Sequence, residues 1–219
     1  MSSQPLDHYH LGLEHMASLL EPSNKACEVQ YSQAKKKVTT QVPCSSKSIA
    51  IRAMILAALS RGYSEISPIP TCHDTKACLL ALKSLGIKYQ QLDNRLLIQG
   101  DGAPFKARRC TLNLAGSGIT SRFLTACLAA GSGGSYYLNG NHSLRTRNSQ
   151  PLIQALTQLS DNTGDVFNYP TSNSLPVIIT PQGLLGGSIV LPPDATQSSQ
   201  FLSALLLASP LAKQPVTIT

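Results

Sequence analysis

Charge is scarce in this sequence: Asp, Glu, Lys and Arg together make up 13% of 219 residues. That is well below the share usual for a soluble domain. A chain with so few charges is expected to hide much of its surface, for instance against a further domain. Paired cysteine motifs are also missing. The six cysteines, at 27, 44, 72, 78, 110 and 127, form no CxxC pair and have no histidine at zinc-finger spacing. They read as reduced thiols in a cytosolic protein, so a cytoplasmic location is expected. No apolar run reaches the length of a membrane span. The first twenty residues contain Asp7 and Glu14 and lack the basic-then-apolar order of a secretory signal.

What charge there is leans one way. Eighteen basic and eleven acidic residues leave a formal net charge of +7, which favours anionic partners, either phosphorylated metabolites or nucleic acid. Apolar residues reach 42%, enough for a sizeable core. Residues 1–37 differ from the rest. They hold His8, His10 and His15 and a run of three lysines, Lys35 to Lys37. No carboxylate accompanies the histidines in a metal-binding pattern, so no metal is expected. The lysine run reads as a solvated stretch before the first strand, and the whole segment as a divergent extension.

From Val38 a pattern begins and then repeats. Strand Val38–Val42 leads into an apolar helix, Ser48–Ser60, with Arg61-Gly62 as its stop. Strand Tyr63–Ile66, helix Thr75–Leu85 and strands Lys88–Leu92 and Arg95–Gln99 follow, with Asp93-Asn94 as a hairpin turn. This is a βαβαββ unit. A second unit runs through strand Thr111–Leu114, helix Ile119–Ala130, strand Ser135–Leu138, helix Gln150–Leu159, and strands Asp165–Tyr169 and Pro176–Thr180. A third begins with strand Ser188–Leu191, helix Ser199–Ala208 and strand Pro215–Thr219. The expected class is α/β, with units at about 38–100, 110–181 and 187–219 forming one pseudo-symmetric domain, 38–219. The third unit reads as incomplete, cut off or crossing into a second domain.

The first helix of each unit opens on serine or glycine: Ser45-Ser46-Lys47-Ser48, Ala115-Gly116-Ser117-Gly118 and Gln197-Ser198-Ser199-Gln200. A helix amino terminus offers unpaired N–H groups and a partial positive charge, which together bind anions. Serine there serves as a cap or as a donor to a phosphate. Equivalent positions of a repeated fold lie at one end, so the three openings are expected to converge. Arg52 and Arg122 sit inside two of these helices among apolar neighbours, and a buried arginine needs a partner or a ligand. Asp74 is the expected carboxylate partner for a helix arginine. Arg145 and Arg147 alternate on the connection before the second unit's second helix, an arrangement suited to a phosphate.

At these residues the chain resembles the amino-terminal half of the 5-enolpyruvylshikimate-3-phosphate synthase family of enolpyruvyl transferases. Ser46-Lys47-Ser48 with Arg52 is similar to its Ser-Lys-Ser-x-x-x-Arg signature, and Asp74-Thr75 to its Asp-Asp-Thr turn. Gly116 to Phe123 resembles its Asn-Ala-Gly-Thr-x-x-Arg segment. Leu138-Asn139-Gly140 with Arg147 and Pro151-Leu152 resembles its Leu-x-Gly and Arg-Pro segment, and Ser198-Ser199-Gln200-Phe201 its Ser-Ser-Gln-Phe helix. The order is kept from about Val38 to Thr219.

The resemblance implies two domains, each of three βαβαββ units around parallel helices, closing over the substrates. It implies transfer of the enolpyruvyl group of phosphoenolpyruvate to the 5-hydroxyl of shikimate 3-phosphate, with release of phosphate and without a cofactor or metal. The pathway implied is that of aromatic amino acid biosynthesis. Lys47 would contact both substrates and take part in catalysis. Ser48 and Arg52 would hold the shikimate moiety, Gly118 and Arg147 the phosphoenolpyruvate, and Ser198 and Ser199 the 3-phosphate, with Gln200 lining the pocket and Arg122 among the binding residues. The remaining half of the site would come from a carboxyl-terminal domain, the implied partner, and this chain alone would be inactive. Neither nucleic acid nor membrane is expected as a partner. Five positions differ from the family pattern: Ile51, His73, Gly116, Ile119 and Asn148. Ile119 in particular would add bulk near the phosphoenolpyruvate pocket. A non-catalytic or regulatory relative that keeps the fold is therefore the alternative. A sibling branch acting on UDP-N-acetylglucosamine has Lys-Asn where this chain has Lys47-Ser48.

Overall fold

Residues 27–28, 46–160, 166–168, 174–191 and 198–219 are described in the computed structural model. The expected strand Val38–Val42 and Ser45 lie outside them. Helix α1, Lys47–Leu59, forms where alanine, leucine, isoleucine and methionine run together without glycine or proline. Ser46 caps it, its side chain accepting from the Ile49 N–H. The helix ends at Leu59, because Ser60 turns extended and its N–H closes on Leu56 O. Arg61 is thus not in the last helical turn; it opens strand β2, Arg61–Ile66. The Arg-Gly pair suggests a helix stop, but Gly100 on the neighbouring strand decides the matter. A β-carbon there would lie 2.2 Å from Ser60 O, so only glycine lets the two backbones meet as α1 gives way to β2.

Helix α2, His73–Ser84, follows, then β3, Lys88–Leu92, and β4, Arg95–Asp101. β3 and β4 pair antiparallel across the expected Asp93-Asn94 turn, with Asp93 at φ 50°. The first sheet has the order β2-β4-β3. In the second unit, β5 (Arg109–Asn113), α3 (Gly118–Ala129) and β6 (Ser135–Asn139) make a parallel crossover. A short helix α4, His142–Arg145, has no counterpart in the sequence reading; it precedes α5, Gln150–Leu159. Strands β7, Phe167–Asn168, and β8, Val177–Ile179, complete a sheet of order β5-β6-β8-β7. Its last three strands repeat the order of the first sheet, as a repeated unit requires.

The third unit has β9 (Gly187–Ile189), α6 (Ser199–Ala208), a 3₁₀ turn (Ser209–Leu211) and β10 (Val216–Ile218). β9 and β10 pair in parallel, as β5 and β6 do. Strand β1, Cys27–Glu28, adds antiparallel to the other edge of β10. It occupies the place that β8 takes beside β6.

The helices fill the core. Every residue of α3 except Arg122 is buried. This helix is buried on nearly every side because α6, α1 and α2 pack around it. Ile51, Met54, Ile55, Phe123, Leu124 and Leu205 meet in one continuous apolar cluster. Truncation of one such side chain to alanine costs about 2–5 kcal/mol.

Candidate functional site

The site is built where the first turns of these helices come together. Contacts link residues at similar depth from each amino terminus. Arg52 of α1 lies over the ring of Phe123 of α3, with its guanidinium carbon 5.0 Å from the centroid. The same arginine donates to Ser203 Oγ of α6 at 2.6 Å. Arg122 of α3 lies 4.4 Å from the Phe201 centroid and donates to Gln200 Oε1, both on α6. The expected convergence of the three openings is therefore observed. Ser46, Ser117 and Ser198 each cap their own helix, accepting from Ile49, Thr120 and Gln200 N–H groups.

Lys47 is the first residue of α1 and is exposed. Its Nζ pairs with Asp74 Oδ2 of α2 at 2.6 Å. The hydrogen bond that its ammonium donates to Asp74, then the charge of that acid, raises the lysine pKa above its ordinary value, while desolvation and the charge of Arg147 pull the other way. Asp74 thus pairs with the lysine and not with a helix arginine, which corrects the sequence expectation. Lysine and acid stand at the first turns of adjacent helices, a proximity that packing creates. The neighbouring Thr75 is buried and structural: its hydroxyl accepts from the Cys72 N–H and donates to Pro70 O.

Gly118 opens α3 and meets Arg147. A β-carbon on Gly118 would lie 2.5 Å from Arg147 Nη1, so the glycine leaves the arginine room against the helix end. The alternating arginines divide their tasks. Arg145 donates to Asn139 Oδ1 and Gly140 O and holds the loop, while Arg147 faces the helix start. Gly140 is required there because a β-carbon would come 2.7 Å from Ala115 O. Ala115 itself has a left-handed φ of 49°. Asn113 Oδ1 accepts its N–H, and its carbonyl accepts the Asn141 N–H.

The remaining site residues divide between contact and exposure. Ser48 gives its backbone carbonyl to Arg52 Nη1 at 3.1 Å. Ser199 is exposed, and its carbonyl accepts from Ser203 Oγ at 2.8 Å. Burial lowers the pKa of both Arg52 and Arg122 below the ordinary value, yet arginine stays charged at neutral pH. The charge of Arg147 reaches both Lys47 and Arg122, and Arg122 in turn holds Gln200, while Arg52 is held by Ser48, Phe123 and Ser203.

The five departures are accounted for locally. Ile51 is fully buried in the core. Ile119 is also buried there. Gly116 leaves space for Asn141, whose amide would stand 3.1 Å from a β-carbon and whose Oδ1 caps α4. Asn148 Oδ1 accepts from the Gln150 N–H and so starts α5. His73 is exposed at the first position of α2. Sequence reasoning missed Phe123, Phe201 and Ser203 as neighbours of the arginines. Only the packing of α1, α3 and α6 on one another brings them together.

Among the described residues no group of three histidine, cysteine, aspartate or glutamate side chains gathers as a metal site, and no helix is long and apolar enough to cross a membrane. The three histidines of the amino-terminal segment lie outside the described residues. Cys72, Cys78, Cys110 and Cys127 are free thiols.

Lysine and arginine gather at and beside helix starts in an α/β protein whose sheets repeat a strand order, a chemistry suited to anions. A family model described as EPSP synthase (3-phosphoshikimate 1-carboxyvinyltransferase) matches residues 32–219, and the chain belongs to that family. The pentafunctional AROM polypeptide of Schizosaccharomyces japonicus is 35% identical over 201 residues, covering 87% of this chain and 12% of that polypeptide. The 3-phosphoshikimate 1-carboxyvinyltransferase of Buchnera aphidicola subsp. Acyrthosiphon pisum is 35% identical over 176 residues, covering 79% of this chain and 40% of the relative. A solved EPSP synthase from Acinetobacter baumannii superposes with a TM-score of 0.71 at 25% identity, over 80% of this chain and 38% of that one. The chain thus spans less than half the length of each.

Proposed function

We propose that this chain supplies one half of an enolpyruvyl-transfer site. The reaction joins phosphoenolpyruvate to the 5-hydroxyl of shikimate 3-phosphate and releases phosphate. The observation that supports the reading is that Arg147 lies against Gly118 at the start of α3, near enough for its charge to act on both Lys47 and Arg122. Residues 38–219 are proposed to act as the domain, with β1 of the amino-terminal segment joining its third sheet and the remainder of the site coming from a carboxyl-terminal half.

In the proposed mechanism Arg147 and the N–H groups at Gly118 receive phosphoenolpyruvate. Ser198 and Ser199 donate to the 3-phosphate at the start of α6. Ser48 and Arg52 hold the shikimate ring and its carboxylate. Lys47 faces both anions and the reacting hydroxyl. As that hydroxyl attacks C2 and gives up its proton to a base, C3 gains a proton; the tetrahedral intermediate then expels phosphate as C3 loses a proton, which restores the double bond in the enol ether. Positioning and charge carry most of the rate. Asp74 holds the ammonium of Lys47 in place. Among the described acids Glu65 and Asp101 are engaged with Arg95 and Lys106, and a second acid–base group is proposed to come from the carboxyl-terminal half. Both substrates are small anions of aqueous metabolism, and a cytoplasmic location is proposed with them.

Calorimetry with shikimate 3-phosphate at low salt tests the half-site. Binding is expected to be weak, and absence of heat at millimolar ligand from folded protein overturns the reading. Replacing Ser198 and Ser199 together with alanine removes two charge-assisted hydrogen bonds, each worth about 1.5–3 kcal/mol, so affinity should fall at least tenfold. Binding without turnover, even after a carboxyl-terminal half is added, identifies the non-catalytic alternative.

A further inference from the structure

We infer that Phe123, Phe201 and Ser203 are positioning residues that hold Arg52 and Arg122 with their positive charge uncompensated. The inference rests on the proposed reading for its ligand, shikimate 3-phosphate, and on contacts within this chain for everything else.

A buried arginine is ordinarily paired with a carboxylate, because desolvation of a lone guanidinium is expensive. Arg52 is 7% exposed. Among the described residues no carboxylate lies within ion-pair distance of it or of Arg122. The substitutes are neutral. Arg52 has Phe123 beneath it, Ser203 Oγ at 2.6 Å and Ser48 O at 3.1 Å. Its Nε is buried without a partner. Arg122 has Phe201 at 4.4 Å and the Gln200 amide. An aromatic face attracts a cation without cancelling its charge. A carboxylate would cancel it.

The pattern recurs between units. The arginine of α1 lies on the phenylalanine of α3, and the arginine of α3 lies on the phenylalanine of α6. Ser203 also donates to Ser199 O, so Arg52, Ser203 and the opening of α6 form one hydrogen-bonded line. Movement at either end is passed to the other. Each arginine is thereby fixed in direction and left free for an anionic ligand.

Two measurements on the full chain test this. The first needs no ligand. Ser203→Asp places a carboxylate beside Arg52, and Ser203→Asn is the isosteric uncharged control. The aspartate variant should melt about 2–4 °C above the asparagine variant. An acid buried for no electrostatic reason would lower the melting point instead. A fall, or failure of the aspartate variant alone to fold, overturns the inference. The second is calorimetry with shikimate 3-phosphate. Ser203→Ala and Phe123→Leu should each weaken binding at least fivefold, while Ser203→Thr and Phe123→Tyr restore it. Unchanged affinity in the first pair overturns the positioning role. A wild-type chain that binds no shikimate 3-phosphate overturns the functional reading, and the melting comparison then decides the inference by itself.

Discussion

Helices α1 and α3 occupy equivalent places in their units and solve one problem in opposite ways. α1 carries its cation at its own first position, where Lys47 leans on Asp74 of the next helix. α3 begins with a residue that has no side chain, and the space at Gly118 admits Arg147 from a loop about thirty residues further on. One unit supplies charge and the other supplies access. Repetition of a fold therefore does not imply repetition of a role. The repeat fixes where helix starts lie, and the residue at the first position decides what each one offers.

The strongest way to break this comparison is to remove the cation of α1. With a carboxyl-terminal half added, Lys47→Met should lower phosphate release at least a hundredfold, within the range of general acid–base effects. The chain alone should show no release before or after the change. Clear release by the isolated chain, abolished by Lys47→Met, would show that no second half is needed.

Access at α3 is tested by Gly118→Ala. The backbone there tolerates alanine, but the new methyl meets the flexible end of Arg147. Phosphoenolpyruvate affinity should drop about tenfold, one misplaced bidentate contact, while melting temperature and shikimate 3-phosphate affinity hold. Equal losses for both ligands would show that Gly118 matters to the fold and not to one anion.

The tie between Lys47 and Asp74 sharpens the contrast through pH. The folded lysine pKa is raised above its ordinary value, first by the Asp74 hydrogen bond and then by its charge. The stabilisation is therefore fully present below the unfolded lysine pKa of about 10.4 and is lost as pH rises through the higher folded value. Less neutral amine at pH 9 means slower acylation. Peptide mapping should find Lys47 acylated more slowly in the wild type than in Asp74→Asn. Equal rates would mean that the pair does not persist in solution. The smallest effect is expected at the loop into α3. Ala115 pays for its left-handed backbone, so Ala115→Gly should be neutral or stabilising by up to about 1 kcal/mol in chemical denaturation.

Local chemistry makes much of the fold legible in the amino-acid order. Serine and glycine openings ahead of apolar runs place α1, α3 and α6 to within a residue or two, because capping and periodicity act over a few positions. The hairpin at Asp93-Asn94 is local too. What the order of residues does not reveal is set by packing across long separations. Arg52 and Ser203 are 151 residues apart, and no spacing rule joins them. Burial of an arginine demands a partner and so points to Asp74, whereas α1 and α2 bring their first turns together and place the lysine nearest. Arg61-Gly62 imitates a helix stop, and only the close approach of Gly100 to Ser60 shows why the strand begins there. The Asn141 cap is the available sign for α4, and asparagine is too common a turn residue to stand alone.

The gathering of helix starts also determines what counts as the empty protein. Amino-terminal ends carry partial positive charge, and here they share a small volume with Lys47, Arg122 and Arg147. On the proposed reading an anion that settled there would relieve repulsion and so would bind the folded chain in preference to the unfolded one. At one hundred times its dissociation constant that linkage would add about 2.7 kcal/mol to apparent stability. Phosphate and sulfate buffers would then act as weak ligands rather than neutral media, and a melting temperature recorded in them would describe a partly occupied molecule.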